Sequence, residues 1–274
     1  MNFTKTELPG ATIVDAQRRE DGEAVSNSRE TRSPTLSPGD RKRPRHRRMM
    51  SRILDALTRR VEYRISNHDS ARSLVALADG AEYAVHHMQG AIATPDKDVV
   101  LLEGLKLAPA EGLFAEFGVW RGSTINKIAE WVGDRATVHG FDSFEGLPED
   151  WHGEYRKGSF HMEGGLPHVR ANVKLHPGWF DATVPQFAAE HPGTPIAFLH
   201  VDCDLYSSTK TIFNGLGERL RPGSVIVFDE YFNYPGWREH EYKAFQELVA
   251  ARSLSYRYVA YNTHEWNAAV QITG

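Results

Sequence analysis

The chain has 274 residues, 41% of them hydrophobic and 11% aromatic, enough apolar material for one sizeable core. Its 32 basic and 36 acidic side chains leave a formal net charge of −4, which gives no global case for nucleic-acid binding. Cys203 is the only cysteine, so an intramolecular disulfide framework is excluded, and no run of about 18 apolar residues offers a membrane span. With no secretory-type apolar core near residue 1, the expected location is the cytoplasm.

Residues 1–48 read as a tail without apolar periodicity, rich in Ser, Arg, Glu, Pro and Gly and expected to be disordered. It closes on the basic tract Arg41-Lys42-Arg43-Pro44-Arg45-His46-Arg47-Arg48, a solvated tail or an anionic tether; no aromatics interleave the charges. A helical segment over 49–108 follows. Ile53, Leu54, Leu57, Val61 and Ile65 make one stripe at three- and four-residue steps. A second helix carries Leu74, Val75, Leu77 and Val85, and a short one spans 99–105. Such helices either cover a ligand cleft or mediate dimerisation.

From 109 to 274 strands and helices alternate. Strands are expected at 113–117, 136–141, 173–176, 196–201 and 224–228, with helices at 123–132, 182–190, 207–220 and 237–251. Two closing strands, 256–261 and 268–272, flank a turn-like Asn-Thr-His stretch. Buried apolar strands alternating with helices predict an α/β fold with a mostly parallel, doubly wound sheet.

Ligands of open α/β sheets bind at the carboxyl ends of strands. Those ends carry Glu116 to Gly122, then Asp142, then Gly178-Trp179-Phe180, then Asp202-Cys203-Asp204, then Asp229-Glu230. Carboxylates buried there without partners would cost several kcal/mol each, so something should compensate them. Gly118 and Gly122 permit a tight turn and close backbone approach; Ser123 or Thr124 is expected to cap the next helix. Gly-x-x-x-Gly alone is an ordinary strand–helix turn. Glu116 just before it and Asp142 at the end of the following strand add weight, since an acid there suits a bidentate bond to ribose hydroxyls. The Gly-x-Gly-x-x-Gly spacing of NAD sites is absent.

Taken in order, Glu116–Thr124 (EFGVWRGST), 140–148 (GFDSFEGLP), 176–180 (HPGWF), 201–209 (VDCDLYSST) and 227–231 (VFDEY) resemble the macrocin O-methyltransferase family, a resemblance covering roughly residues 95–274. It implies a Rossmann-like class I methyltransferase domain at 109–274, with a mostly parallel seven-stranded sheet ending in an antiparallel hairpin. It also implies S-adenosyl-L-methionine as cofactor and O-methylation of a sugar or aromatic hydroxyl in natural product biosynthesis. The partner would be a small hydroxylated acceptor, with neither nucleic acid nor membrane, and the chain a homodimer or higher homo-oligomer.

The resemblance also implies roles. Gly118, Val119, Gly122 and Ser123 would hold the methionine end of the cofactor, with Glu116 orienting the loop. Asp142 would take the ribose with Ser143 beside it, Trp179 would lie near the adenine, and Asp202 would border the cofactor. Asp202, Asp229 and Glu230 would bind Mg²⁺, and Asp204 would be the general base. Glu230 stands where Asp is usual, which moves that carboxylate by about 1.5 Å. Against these roles stand a core aromatic at Trp179 and an acid cluster neutralised by Lys or Arg without any ion. His139 and His200 read as hydrogen-bonded core histidines, and Arg238 and His240 as acceptor-contact candidates.

Overall fold

Apolar runs bounded by glycines and carboxylates become strands within a residue or two of their expected limits. The computed structural model describes residues 67–163 and 165–274. The 1–48 tail and the 53–65 stripe lie outside the described residues.

The chain runs through α1 (His68–His87), β1 (Ile92–Thr94), α2 (Lys97–Leu107), β2 (Leu113–Phe117), α3 (Ser123–Val132), β3 (Val138–Asp142) and β4 (Val173–Pro177). It continues with α4 (Phe180–Glu190), β5 (Ile196–Val201), α5 (Tyr206–Leu216), β6 (Val225–Phe228), α6 (Glu241–Arg252), β7 (Tyr256–Asn262) and β8 (Ala268–Ile272). No helix among the described residues is long and apolar enough to cross a membrane.

The sheet has eight strands among the described residues, in the order β1-β7-β8-β6-β5-β2-β3-β4. Seven were expected. The addition is β1, three residues pairing Ile92 with Ala260 and Thr94 with Asn262 at the sheet edge, too short to show an apolar period. Only β8 among the described strands runs antiparallel, inserted between β6 and β7. The closing hairpin thereby adds β7 parallel to the rest.

Alternation along the strands divides the core in two. Leu113, Ala115 and Phe117 of β2 face a cluster with Val184 and Phe187 of α4, Ile212 of α5 and Phe245 of α6. Phe114 faces the other way, toward Val100 and Leu105 of α2 and Ile125 and Ile128 of α3. Helix α2 lies close to the sheet at Gly104, where a Cβ would meet Val227 Cγ2 at 2.6 Å.

Helix α1 corrects its expected face. Leu74, Val75, Leu77 and Val85 are exposed, whereas Ala76, Gly80, Tyr83 and Ala84 are buried. The helix docks through small residues because its backbone approaches the loop after β6; a Cβ on Gly80 would lie 1.9 Å from Asn233 Oδ1. Asp79 on this side accepts from Trp237 Nε1 at 2.9 Å.

Strand order reverses at β2, which pairs with β3 on one side and β5 on the other. A crevice opens at such a switch point because successive loops leave in opposite directions.

Candidate active site

A cavity of about 720 Å³ lies at that switch point. Its lining includes Gly118, Val119, Ser123, Asp142, Ser143, Trp179, Asp202, Asp204, Asp229 and Glu230. These residues come from five strand ends and the helix starts beyond them.

The loop after β2 is shaped by Gly118, at φ 91°, where a Cβ would sit 1.6 Å from the carbonyl oxygen of Asp202. Only glycine lets the loop cross the end of β5 so closely. Asp142, at the end of β3, then pins that loop. Its Oδ2 accepts from the amides of Val119 at 2.9 Å and Trp120 at 2.7 Å, and its Oδ1 from Phe144 at 2.7 Å. A carboxylate has about four lone-pair sites, so three amides leave room for one further donor rather than a bidentate pair.

Helix α3 is capped by neither Ser123 nor Thr124. Its N-cap is Gly122, at φ 81°, without a side-chain hydrogen bond. Both hydroxyls line the cavity instead, and the first amides of the helix are left for whatever enters. Gly122 supports this turn from outside the lining; a Cβ there would meet Pro167 at 3.3 Å.

Glu116 is not in the lining. One residue in from the end of β2, it is buried beneath the acid cluster, and its Oε1 lies 2.9 Å from Nδ1 of His200 on the neighbouring strand. His200 Nε2 lies 3.9 Å from Asp229 Oδ1, so the histidine bridges Glu116 and the acid cluster from behind. His139 is likewise a core group, 3.0 Å from His176 and held down to about 4, by burial first and then by His176.

At the other end of the cavity, oxygens of Asp202, Asp229 and Glu230 lie within 4.8 Å of one another. Asn267 Nδ2 donates to Asp229 Oδ1 at 2.6 Å, which fixes that carboxylate. Glu230 Oε2 is buried without a partner. Burial, then the neighbouring Asp229, pushes the Asp202 and Glu230 carboxyls well above the usual carboxylate range. Asp204 sits at φ 64°, and burial, then Asp229, pushes it up to about 7. A non-glycine residue in that region is strained, as is common where a side chain must be aimed.

Two parts of the cavity, and one residue buried behind it, carry no distinctive spacing in the sequence. Lys97, the first residue of α2, places Nζ 3.7 Å from Asp229 Oδ2, and the negative charge there raises its pKa. Glu241, the first residue of α6, lies fully buried behind Glu230. Trp151, Tyr155, Phe160 and Trp266 form an aromatic wall, with Trp151 6.1 Å from Trp266 and Tyr155 stacked 5.3 Å from Phe160. The aromatic density of 144–160 was the available signal. The two acceptor-contact candidates lie elsewhere. Arg238 pairs with Asp79 at 2.9 Å and stacks on Trp237, while His240 packs behind the wall against Tyr234. Neither is in the lining.

A mostly parallel sheet with one inserted antiparallel strand, and a glycine loop facing carboxylates across one crevice, define the Rossmann-like class I methyltransferase fold. Residues 115–231 match the family model described as a methyltransferase domain. The solved structure of CalS11, a calicheamicin methyltransferase, superposes with a TM-score of 0.52 at 21% identity, covering 87% of this chain and 99% of that one. Among curated relatives, the 8-demethyl-8-(2,3-dimethoxy-alpha-L-rhamnosyl)-tetracenomycin-C 4'-O-methyltransferase of Streptomyces olivaceus is 34% identical over 156 residues, 49% of this chain and 56% of that protein. The demethyldecarbamoylnovobiocin O-methyltransferase of Streptomyces niveus is 32% identical over 158 residues, 48% of this chain and 58% of that protein. The mycinamicin III 3''-O-methyltransferase of Micromonospora griseorubida is 32% identical over 156 residues, 47% of this chain and 59% of that protein. The chain thus spans less than two thirds of the length of these relatives.

Proposed function

We propose that this protein is an S-adenosylmethionine-dependent O-methyltransferase of the macrocin type, assisted by a divalent cation. Its acceptor is a hydroxyl of a small molecule, a sugar or phenolic group of a natural product. One observation carries the reading: the glycine loop and the acid cluster open into the same cavity.

The residues fit a sulfonium donor. Gly118, Val119 and Ser123, with the uncapped amides of α3, would hold its methionine end, and Ser143 with the remaining lone pair of Asp142 its ribose. Trp179, 38% exposed on the cavity edge, offers a face for the adenine. The acid cluster fits a hard cation by its all-oxygen donors, its shared spacing and the orphaned Glu230 Oε2. Glu230, one methylene longer than aspartate, still brings its carboxylate to that set.

When bound, the donor supplies an electrophilic methyl and the cation a Lewis acid that polarises a hydroxyl oxygen. The chain does the rest. Asp204 takes the acceptor hydroxyl proton onto its carboxylate, with a pKa suited to a base near neutrality. The aromatic wall excludes water and presents flat apolar faces to the acceptor ring.

Calorimetry with S-adenosylmethionine and S-adenosylhomocysteine tests the donor site. Both are expected to bind, and Asp142→Ala to abolish binding by releasing the loop; absence of binding to the wild type removes the enzyme reading. Turnover on rhamnosyl and phenolic acceptors, with and without chelator, tests the cation. Loss of activity in EDTA and its return with Mg²⁺ are expected. Chelator-insensitive turnover would favour a metal-free methyltransferase in which Lys97 alone neutralises Asp229.

A further inference from the structure

We propose that Trp120 is a positioning residue that couples a filled donor site to the aromatic wall at the acceptor end; this rests on the donor reading above. Trp120 stands in the loop after β2, and its amide donates to Asp142 Oδ2 at 2.7 Å. Asp142 Oδ1 accepts from the amide of Phe144, where the segment 144–162 begins. The Met162 amide closes the base of that segment on the Phe144 carbonyl at 3.0 Å. Higher up, Leu147 donates to Ser159 and Gly158 to Leu147, both at 2.9 Å. The segment is thus one hydrogen-bonded piece, and it carries Trp151, Tyr155 and Phe160 of the wall. A single carboxylate holds its root and the donor loop together.

The indole of Trp120 makes a second link. It meets Phe160 edge-on, with ring centroids 5.7 Å apart and planes at 78°. Phe160 stacks on Tyr155 at 5.3 Å, and Tyr155 lies 5.4 Å from Trp151, so contact runs from the donor loop along the wall. The Arg121 guanidinium lies over the indole at 4.4 Å and steadies it. Burial does not account for this side chain, which is 40% exposed in the cavity lining. Nor is its backbone relaxed. Trp120, Phe144 and Phe160 have φ of 44°, 57° and 69°, three of the six positive values among the described non-glycine residues. Left-handed backbone is strained for bulky side chains and persists only where the surroundings over-determine it. Three strained aromatic residues beside one carboxylate mark two loops set against each other. A donor that stiffens the loop pinned by Asp142 therefore stiffens the wall, with Trp120 passing the restraint to Phe160.

The test is hydrogen–deuterium exchange on the full-length protein, with S-adenosylhomocysteine as the probe and residues 151–160 as the readout. In the wild type the probe should slow exchange there by about three- to tenfold, the scale of an aromatic pair. Trp120→Ala should bind the probe as the wild type does, since the amide and not the indole meets Asp142, yet lose that slowing. Trp120→Phe keeps a ring against Phe160 and should restore it. Phe160→Ala removes the same contact from the other side and should also lose the slowing; it decides the matter if Trp120→Ala does not fold.

Undiminished slowing in the two Ala variants overturns the proposal, as does a Phe variant that behaves like Trp120→Ala. Loss of probe binding in Trp120→Ala would make the indole part of the donor site itself and also overturns it. Wild-type protein that binds the probe without slowed exchange at 151–160 removes this role alone. Wild-type protein that binds no probe removes the donor reading and this role together.

Discussion

At the scale of single residues, Asp204 carries the most chemistry. Burial, then Asp229, pushes its pKa up to about 7 from the ordinary aspartate value, so between those values the folded chain holds a proton that the unfolded chain releases. Its contribution to stability is therefore full at low pH and declines as pH rises toward 7. Asp204→Asn should be more stable than the wild type in metal-free buffer above pH 7, with the difference vanishing toward pH 4 in thermal melts. A difference that grows on acidification would contradict this sign. The same substitution removes the proposed base, and kcat should fall by about 10²–10⁴-fold. In the wild type, turnover should rise with pH through the region where Asp204 loses its proton; a flat profile there would remove it as the base.

At the scale of elements, the site depends on how closely two loops cross. Gly118→Ala forces a side chain into left-handed backbone and toward the Asp202 carbonyl, where the Cβ would come within 1.6 Å. Overpacking of this kind costs about 1–3 kcal/mol, read as a lower denaturation midpoint in urea. Displacing the loop by even about 1 Å should cut turnover on the order of 10²-fold. Retained S-adenosylhomocysteine affinity in this variant would show that the loop does not hold the donor. Element positions were largely readable from the chain. Residues 113–117, 123–132 and 196–201 are the expected β2, α3 and β5, since short apolar runs between glycines and carboxylates leave few alternatives. Strand β1 was not readable. Its three residues are held by pairing with β7, more than 160 positions away in sequence.

At the scale of the whole molecule, the charge distribution is lopsided. A chain of net charge −4 gathers Asp202, Asp204, Asp229 and Glu230 around one end of one cavity, with Lys97 the cation in its lining beside them. Mg²⁺ should therefore raise the melting temperature, by about 2–4 °C for each kcal/mol of binding, with about 2.7 kcal/mol at a hundredfold excess over Kd. The shift should be larger at pH 8 than at pH 5.5, because carboxyls with raised pKa values keep their protons in acid and compete with the cation. EDTA should reverse it. No shift at pH 8 would leave Lys97, not a cation, to balance Asp229.

The sequence by itself determined the α/β class, the positions of most strands and the collection of acids and glycines at strand ends. These follow from local patterns: apolar runs make strands, and the residues where a run stops come to lie at the carboxyl edge of the sheet. The tertiary structure alone decided which of those residues share a cavity. Glu116 and Asp142 lie near strand ends on the same face of the sheet, yet Glu116 sits one register step deeper, where His200 takes it, while Asp142 at the end of β3 reaches the lining. Lys97 and Trp266 reach that lining from distant segments and Glu241 packs behind it, and Leu74 and Val75 face solvent because α1 docks on glycine and alanine. Direction and long-range approach are properties of packed elements, and no local spacing encodes them.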